Sequence, residues 1–353
     1  MANTLLDCIF DQPQTMKKVI EMVPKEVEVI LNKINGCFKK IYLVGSGTSL
    51  NAAKAAKSIM VDYLGSEIQV ITPFDFNHYL SPKQLNSETL VIGISQTARS
   101  IATLTSIKRA REYGARTILV TAEKERPEAN AAEFILDTWT GFEPVGPKSK
   151  GYTSTIASLY LFAAGLAKRE LDLDPIPNFM EDILQRTRTK INDLIESFIS
   201  VTSCVIISYG PNMATASEGA LKISETLRIP VEVYEVEEYM HGPYHCLGED
   251  SHIIFISPPG PGQARMKELI KFVQQYTEHT FIISNEDFIE EETTGITLLL
   301  PKEVNEILTP LGYIIPLQYL ASEVTRKMGR QPEASRHPQF HASLGSKIPQ
   351  KYY

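Results

Sequence analysis

Four short apolar segments occur twice in this chain, in the same order and with an offset of about 162 to 165 positions. The pairs begin at Ile41 and Val205, Ile68 and Val231, Leu90 and Ile253, and Arg116 and His279. One such match can arise by chance, but four in register indicate self-similarity on the scale of a domain. The chain is therefore expected to contain two related domains.

Within each copy, short β-branched runs alternate with helical stretches such as residues 50–63, 100–113 and 263–276. Strands that alternate with helices of this length predict βαβ units and parallel sheets. The sequence thus predicts an α/β protein with two tandem domains, each a parallel sheet flanked by helices. Sheets of this kind bind ligands beyond the carboxyl ends of their strands, so the loops after the strands are the first candidates for a site.

The chain of 353 residues is long enough for two domains of ordinary size. Residues 171–178 contain two prolines and two aspartates, a composition typical of a linker. We therefore expect a first domain over residues 1–172, a second over residues 178–330, and a C-terminal tail over residues 331–353.

The charge balance excludes several classes of partner. The chain has 35 Lys and Arg against 42 Asp and Glu, a net charge of −7 that gives no general attraction to nucleic acid or to an anionic membrane. No stretch of about 18 apolar residues and no signal peptide is evident. The four cysteines form neither a CxxC pair nor a zinc-binding pattern with histidine. These features predict a cytoplasmic protein without a bound metal.

The first candidate for a ligand site is Gly45-Ser46-Gly47-Thr48-Ser49, which follows a predicted strand and opens a predicted helix. A helix N-terminus presents free N–H groups and a partial positive charge, and therefore favours phosphate. The alternative is a tight turn capped by Ser49. The segment lacks the Gly-Lys-Ser/Thr of a P-loop. It has Leu50 in place of the third dinucleotide-binding glycine, but Glu67 stands about where a ribose-binding acid would lie, so a dinucleotide site is a further alternative.

The second candidate is Ser95-Gln96-Thr97-Ala98-Arg99-Ser100, which offers three hydroxyl groups and an amide at another predicted helix start. The alternative is a cluster of N-cap residues. The second copy has Ser257-Pro258-Pro259 at the corresponding position, and proline has no N–H to donate. The comparison predicts one phosphate site per chain, in the first copy.

Candidate acid–base residues lie in the second copy. Glu218, Lys222 and Glu225 are spaced to share one face of a predicted helix, which follows the first strand of its sheet. The alternative is a solvated surface stripe with a Glu–Lys pair. His241 precedes Gly-Pro, so we expect it at an accessible turn, where histidine can transfer protons near neutral pH. The same Gly242-Pro243 pair argues against a metal-binding helix there, and a surface histidine is the alternative.

Together these motifs resemble the sugar isomerase (SIS) family in its two-domain form, which includes stand-alone phosphosugar isomerases and deglycases and the isomerase half of a glutamine-dependent aminotransferase. The most specific matches are residues 218–225 and His241-Gly242-Pro243. The resemblance covers nearly the whole chain. It implies two tandem SIS domains, each a flavodoxin-like parallel sheet flanked by helices, and a homodimer or higher homo-oligomer that needs no cofactor.

The resemblance also implies a role for each candidate residue. The phosphate of a sugar phosphate is expected to bind to Gly47, Thr48, Ser49, Ser95, Gln96, Thr97 and Ser100. Glu225 is expected to move a proton between C1 and C2 of the sugar, while Glu218 and Lys222 orient and polarise it. His241 is expected to open the sugar ring in the partner subunit's site. Lys150 and Thr153 lie in a stretch expected to close over the sugar, and Lys347 is the candidate for the family's tail lysine.

The sequence departs from the family pattern at three places. Residue 2 is Ala2, where the aminotransferases have a cysteine nucleophile, so glutamine hydrolysis by that route is not expected. Ala98-Arg99 replaces a glycine and an often acidic residue. The family pattern therefore does not indicate what the pocket contacts on the non-sugar side of the substrate. The tail places Lys347 at an altered spacing, in a tail similar to that of stand-alone deglycases.

The leading hypothesis is a phosphosugar isomerase or deglycase that acts on a hexose 6-phosphate or its amine adduct. One alternative is a non-catalytic sugar-phosphate-binding regulator, and another is a nicotinamide-dependent oxidoreductase. The sequence does not distinguish an isomerase from a deglycase or from an ammonia-dependent enzyme, and it does not identify the sugar.

Overall fold

The computed structural model describes residues 4–34, 36, 38–288, 294–302 and 304–349. Residues 1–3 of the expected first domain, Cys37 and residues 350–353 of the expected tail lie outside this part of the chain. The chain forms two compact units. The first-sheet unit comprises Gln14–Glu143, Lys150–Asp174 and Ser335–Tyr353, and the second-sheet unit comprises Met1–Pro13, Pro144–Ser149 and Pro175–Ala334. The domain boundaries expected from the sequence stay a prediction.

Each unit contains a parallel sheet of five strands. The strands of the first sheet are β1 (Lys40–Val44), β2 (Glu67–Ile71), β3 (Thr89–Ile94), β4 (Arg116–Thr121) and β5 (Phe134–Asp137), in the order β2-β1-β3-β4-β5. Those of the second are β6 (Cys204–Ser208), β7 (Val231–Glu235), β8 (Ile253–Ser257), β9 (Thr280–Asn285) and β10 (Ile296–Leu300), in the order β10-β9-β8-β6-β7. The two orders are equivalent strand by strand, so the repeat in the sequence is a repeat in the fold.

Helices connect and cover these strands. In the described chain they are α1 (Leu5–Phe10), α2 (Gln12–Leu31), α3 (Thr48–Leu64), α4 (Pro73–His78), α5 (Ile101–Glu112), α6 (Lys150–Ala167), α7 (Ile176–Phe198), α8 (Asn212–Thr226), α9 (Val236–Tyr239), α10 (Gln263–Val273), α11 (Pro310–Tyr313), α12 (Ile315–Lys327) and α13 (Phe340–Ser343). The fold class predicted from the sequence is confirmed: both units are parallel sheets flanked by helices. None of the described helices is both long enough and apolar enough to cross a membrane.

Small residues let the helices approach closely. The buried face of α3 carries Ala52, Ala53, Ala55 and Ala56, and α3 packs against α6. In the second-sheet unit, a Cβ on Gly219 of α8 would collide with the side chain of Leu317 on α12. These contacts let α3 lie close to α6 and α8 lie close to α12.

The topology brings two loops of the first-sheet unit to the same edge. Strands β1 and β3 are neighbours, and they are followed by residues 45–49 and 95–100, which we call the first loop and the second loop. Helices α3 and α5 begin directly after these loops. The two segments singled out in the sequence therefore lie side by side at the carboxyl edge of the first sheet, as parallel topology requires.

Candidate active site

The first loop leaves the N-terminus of α3 without a side-chain cap. The N-cap residue is Gly47, with a φ of 57°, and no side chain caps the helix there. Ser49 lies inside the first turn, so the alternative of a turn capped by Ser49 is wrong. A Cβ on Gly45 would come within 3.0 Å of Cβ of Ser49, so glycine is needed for α3 to start this close to the strand. Thr48 and Ser49 thus stand at a helix start with the polarity that favours an anion.

The second loop is held in place by hydrogen bonds that its serine hydroxyls accept. The backbone N–H of Ser100 donates to Oγ of Ser95 at 3.4 Å, and Oγ1 of Thr103 donates to Oγ of Ser100 at 3.0 Å. Ser100 is the N-cap of α5, as the alternative interpretation of this loop supposed. Ala98 has a φ of 49° and is fully buried. A left-handed residue at this position explains why the family pattern has glycine here.

Glu143 fixes the amide of Gln96, a contact that the sequence did not reveal. Nε2 of Gln96 donates to Oε2 of Glu143 at 2.9 Å, and the backbone N–H of Gly151 donates to the same oxygen at 3.1 Å. Glu143 itself is buried. A Cβ on Gly151 would collide with the amide of Gln96. The carboxylate therefore links the second loop to the first turn of α6, and it leaves the second N–H of the Gln96 amide for another acceptor.

Lys150 and Thr153 lie in that first turn of α6, and both are buried. Oγ1 of Thr153 donates to the carbonyl of Lys150 at 3.3 Å, within the helix. Through Glu143, the start of α6 is joined to Gln96 of the second loop. The first-sheet unit thus brings Lys150 into the neighbourhood of a predicted phosphate-binding residue.

The C-terminal tail pairs with the second loop. Lys347 and Ser100 form an antiparallel β-bridge, and the N–H of Ile348 donates to the carbonyl of Arg99 at 2.9 Å. The N–H of Ile101 donates to the carbonyl of Ser346 at 3.3 Å. Lys347, predicted as the tail lysine, therefore lies beside Ser100, predicted as a phosphate-binding residue.

In the second-sheet unit, Lys222 joins the two predicted carboxylates on α8. Its Nζ lies 3.2 Å from Oε1 of Glu218 and donates to Oε2 of Glu225 at 2.7 Å. The side chains of Lys222 and Glu218 are 1% and 0% exposed, whereas that of Glu225 is 36% exposed. Burial acts to lower the pKa of Lys222, but the charges of Glu218 and then Glu225 outweigh it and raise the pKa. We call these three residues the α8 cluster; the alternative of a solvated stripe is wrong for its two buried members.

The α8 cluster extends from the middle of α8 to its last turn. Helix α8 starts after β6, at the carboxyl end of that strand. Glu225 is in the last turn of α8, 13 residues after Asn212, or about 20 Å along the helix axis. Glu225 therefore lies at the opposite end of α8 from the loops that follow the strands of the second sheet, and Glu218 lies in the middle of the helix.

His241 lies at the turn that Gly242-Pro243 predicted. It follows α9, its backbone N–H donates to the carbonyl of Glu238 at 3.0 Å, and Gly242 adopts a φ of 131°. The side chain of His241 is exposed. This is the accessibility that a proton-transfer group offered to a neighbouring molecule requires.

The second sheet has an acidic side chain where the first sheet has the first and second loops. Residues Gly210 and Gly260 follow β6 and β8, and the carboxylate of Glu306 lies against both. A Cβ on Gly260 would come 2.5 Å from Oε2 of Glu306. Burial raises the pKa of this carboxyl. Besides the missing N–H groups of Pro258 and Pro259, the second copy therefore places a negative charge where a phosphate would have to bind.

No group of three or more His, Cys, Asp and Glu side chains in the described ranges has an arrangement that could hold a metal ion.

The chain matches the model of the SIS domain twice, over residues 37–165 and 197–325. It is 30% identical over 307 residues to the isomerising glutamine–fructose-6-phosphate aminotransferase of Methanothermobacter thermautotrophicus, covering 86% of this chain and 51% of that protein. The corresponding enzyme of Thermococcus kodakarensis is 28% identical over 349 residues, covering 94% of this chain and 56% of that protein. The chain thus spans about half the length of these curated relatives.

Solved structures show the same architecture. A Clostridium difficile protein, provisionally described as a phosphosugar isomerase, superimposes with a TM-score of 0.87 at 25% identity, covering 99% of this chain and 100% of that one. The C-terminal domain of glucosamine-fructose-6-phosphate aminotransferase from Francisella tularensis superimposes with a TM-score of 0.82 at 20% identity, covering 94% and 98%. With two matched repeats that together span more than half of its length, the chain belongs to the SIS domain family.

Proposed function

We propose that this protein is a phosphosugar isomerase or deglycase that acts on a hexose 6-phosphate or on the fructosamine 6-phosphate type of amine adduct. The observation that carries the proposal is the α8 cluster, in which the buried ammonium of Lys222 bonds to the exposed carboxylate of Glu225 at 2.7 Å. A proton-transfer base must reach the substrate and must also be held in one orientation. Glu225 meets both requirements.

The first-sheet unit supplies the binding half of the proposal. Phosphate binds to the starts of α3 and α5, where backbone N–H groups and the hydroxyls of Thr48, Ser49, Ser95, Thr97 and Ser100 act as donors. Gln96 adds an amide N–H, because Glu143 accepts its other one. Lys150 and Thr153 bind the sugar beside these loops, with Lys347 brought there by the C-terminal tail.

The second-sheet unit supplies the chemistry. With the sugar in its open-chain form, Glu225 takes a proton from the carbon next to the carbonyl and returns it to the carbonyl carbon. Aldose and ketose thereby interconvert. With an amine adduct, the same transfer from C1 to C2 leaves an imine at C1. Water hydrolyses this imine to an aldose 6-phosphate and a free amine. Neither reaction has a net change of oxidation state, so the proposal invokes no redox cofactor.

Lys222 and Glu218 act around that base. Glu218 is fully buried, so it holds Lys222 rather than contacting the sugar. Lys222 in turn orients the carboxylate of Glu225. His241 opens the sugar ring in the site of a second copy of the chain, which its exposed position supports. The relatives named above support the proposal because their names describe isomerisation or aminotransfer on sugar phosphates.

The two alternative functions would use different parts of the molecule. A non-catalytic sugar-phosphate-binding regulator needs the phosphate loops but has no use for a base held by a buried lysine. A nicotinamide-dependent oxidoreductase would bind its dinucleotide at the first loop, where Leu50 replaces the third glycine. Loss of turnover with retained binding on removal of Glu225 would separate an enzyme from a regulator.

The experiment measures turnover of a panel of phosphorylated aldoses, ketoses and ketosamines, with product detection by mass spectrometry. We expect Glu225→Gln to lower turnover roughly 10²- to 10⁴-fold, the range typical for loss of a general base, while binding survives. In D₂O the wild-type protein should introduce deuterium at C1 or C2, and the variant should not.

The control is Glu268→Gln, which changes an exposed carboxylate on α10 that forms a surface ion pair with Arg265. This variant should exchange deuterium at the wild-type rate. Wild-type exchange in Glu225→Gln would show that the base lies elsewhere. No turnover of any panel member by the wild-type protein would argue for the regulator.

A further inference from the structure

The side chain of Arg99 contacts the C-terminal tail. Its Nε donates to the carbonyl of Ile348 at 2.6 Å, while its own carbonyl accepts from the N–H of Ile348 at 2.9 Å. Arg99 and Ile348 thus exchange two hydrogen bonds across 249 positions of sequence. The sequence left the non-sugar side of the pocket unassigned at Ala98-Arg99, and the structure gives the side chain of Arg99 a partner in the tail.

We propose that Arg99 is a positioning residue, which holds the tail on the second loop and thereby places Lys347 beside Ser100. The inference rests on the proposed function in one respect, because it assumes that Lys347 acts on the sugar. The anchoring itself is a property of the folded chain.

The tail is largely exposed before it reaches the second loop. Every residue from 334 to 347 is exposed, and Ile348 is the first that is partly buried. Its side chain packs against the apolar cluster that contains Ala98, Leu104 and Ile107, next to the bond from Arg99. An exposed segment gains little from apolar burial, so the few hydrogen bonds to the loop decide how firmly it is held.

The anchor lies next to the residue it is proposed to place. Lys347 is adjacent to Ile348 and is paired with Ser100, and the N–H of Ile101 binds the carbonyl of Ser346. The segment 346–348 is therefore held on both sides of Lys347. In the turn that precedes this segment, Nδ1 of His341 and Oγ of Ser346 lie 2.8 Å apart, within hydrogen-bonding distance.

The charges around His341 are consistent with a tail that is docked on the second loop. Burial and then the positive charges of Lys347 and Arg99 lower the pKa of His341. His341 is therefore more readily neutral near these two cations, and it adds less repulsion to the docked tail than a charged imidazole would.

The first test is hydrogen exchange of the tail in the intact protein without ligand, followed by mass spectrometry of peptides that cover residues 344–349. Arg99→Ala removes the side-chain bond and keeps the backbone pairing. We expect exchange in these peptides to become about tenfold faster or more, which corresponds to losing one hydrogen bond to a charged group. The control is Arg111→Ala, since Arg111 on α5 donates to the carbonyl of Ala131 at 2.9 Å, away from the tail. Wild-type exchange in Arg99→Ala would overturn the inference.

The second test is a double-mutant cycle on turnover with the substrate identified by the panel above. If Arg99 acts through Lys347, Arg99→Ala with Lys347→Ala should be no slower than Lys347→Ala alone, because one unit has been removed twice. Additive losses would overturn the positioning role. A protein that turns over no sugar phosphate would refute the proposed function, and the exchange experiment would then decide the anchoring by itself.

Discussion

Glu218 and Glu225 illustrate how position alone gives the same side chain different surroundings. Both bond to Lys222, yet one is fully buried and the other is 36% exposed. The spacing i, i+4, i+7 correctly predicted that all three residues share a face of α8. It did not predict which part of this face is covered, because that depends on the elements that pack against α8 rather than on the sequence of α8.

Glu306 is a residue for which a pH dependence follows from burial. Its pKa is raised, so the folded chain holds the proton more tightly than the unfolded chain does. A raised carboxyl pKa favours folding below the ordinary carboxyl range, and this contribution is lost as pH rises through the folded pKa. We therefore expect Glu306→Gln to be more stable than wild type at neutral pH, with the difference shrinking toward roughly pH 4.

Urea unfolding of both proteins at several pH values checks this expectation. Glu268→Gln, which neutralises an exposed carboxylate, should show no such pH-dependent gain. A Glu306→Gln variant that is less stable than wild type at neutral pH would mean that the carboxylate makes a favourable contact in its ionised form.

At the scale of elements, equivalent helix starts of the two sheets have diverged. Helix α3 begins after Gly47 at a positive φ, whereas α8 begins after Pro211, which has no N–H. The alternation of strands and helices, the paired loops and the loss of donors in the second copy could all be predicted, because each is written in local sequence. The contacts of Glu143 with Gln96 and of Arg99 with Ile348 could not, since they join residues 47 and 249 positions apart.

A prediction at the scale of elements concerns the second loop. Ser95→Ala with Thr97→Ala removes two hydroxyls from the start of α5, and each lost hydrogen bond to a charged group costs about 1.5 to 3 kcal/mol. Calorimetry should show much weaker binding of a sugar 6-phosphate. Ser106→Ala is the matched control, because its buried Oγ bonds within α5 to the carbonyl of Ala102. Unchanged affinity in the folded double variant would move the phosphate site away from the second loop.

For the whole molecule, the exposed His241 leads us to expect at least a homodimer. If its ring serves the site of a second copy, activity requires association. Across a dilution series, the turnover measured by assay should therefore fall together with the dimer fraction measured by sedimentation. Mixing inactive His241→Ala with inactive Glu225→Gln should restore part of the turnover, since a mixed dimer has one site with both groups intact. A fully active monomer would contradict this expectation.

The two units also differ from a simple tandem repeat in how the chain is distributed between them. Six segments alternate between the units, so the backbone crosses from one to the other five times, and the last segment returns to the first sheet. A gene fragment that stopped at residues 171–178 would encode both loops without the strand-like segment that docks on Arg99 and Ser100. The two halves have the same fold, but neither can be inherited separately with its complete set of contacts.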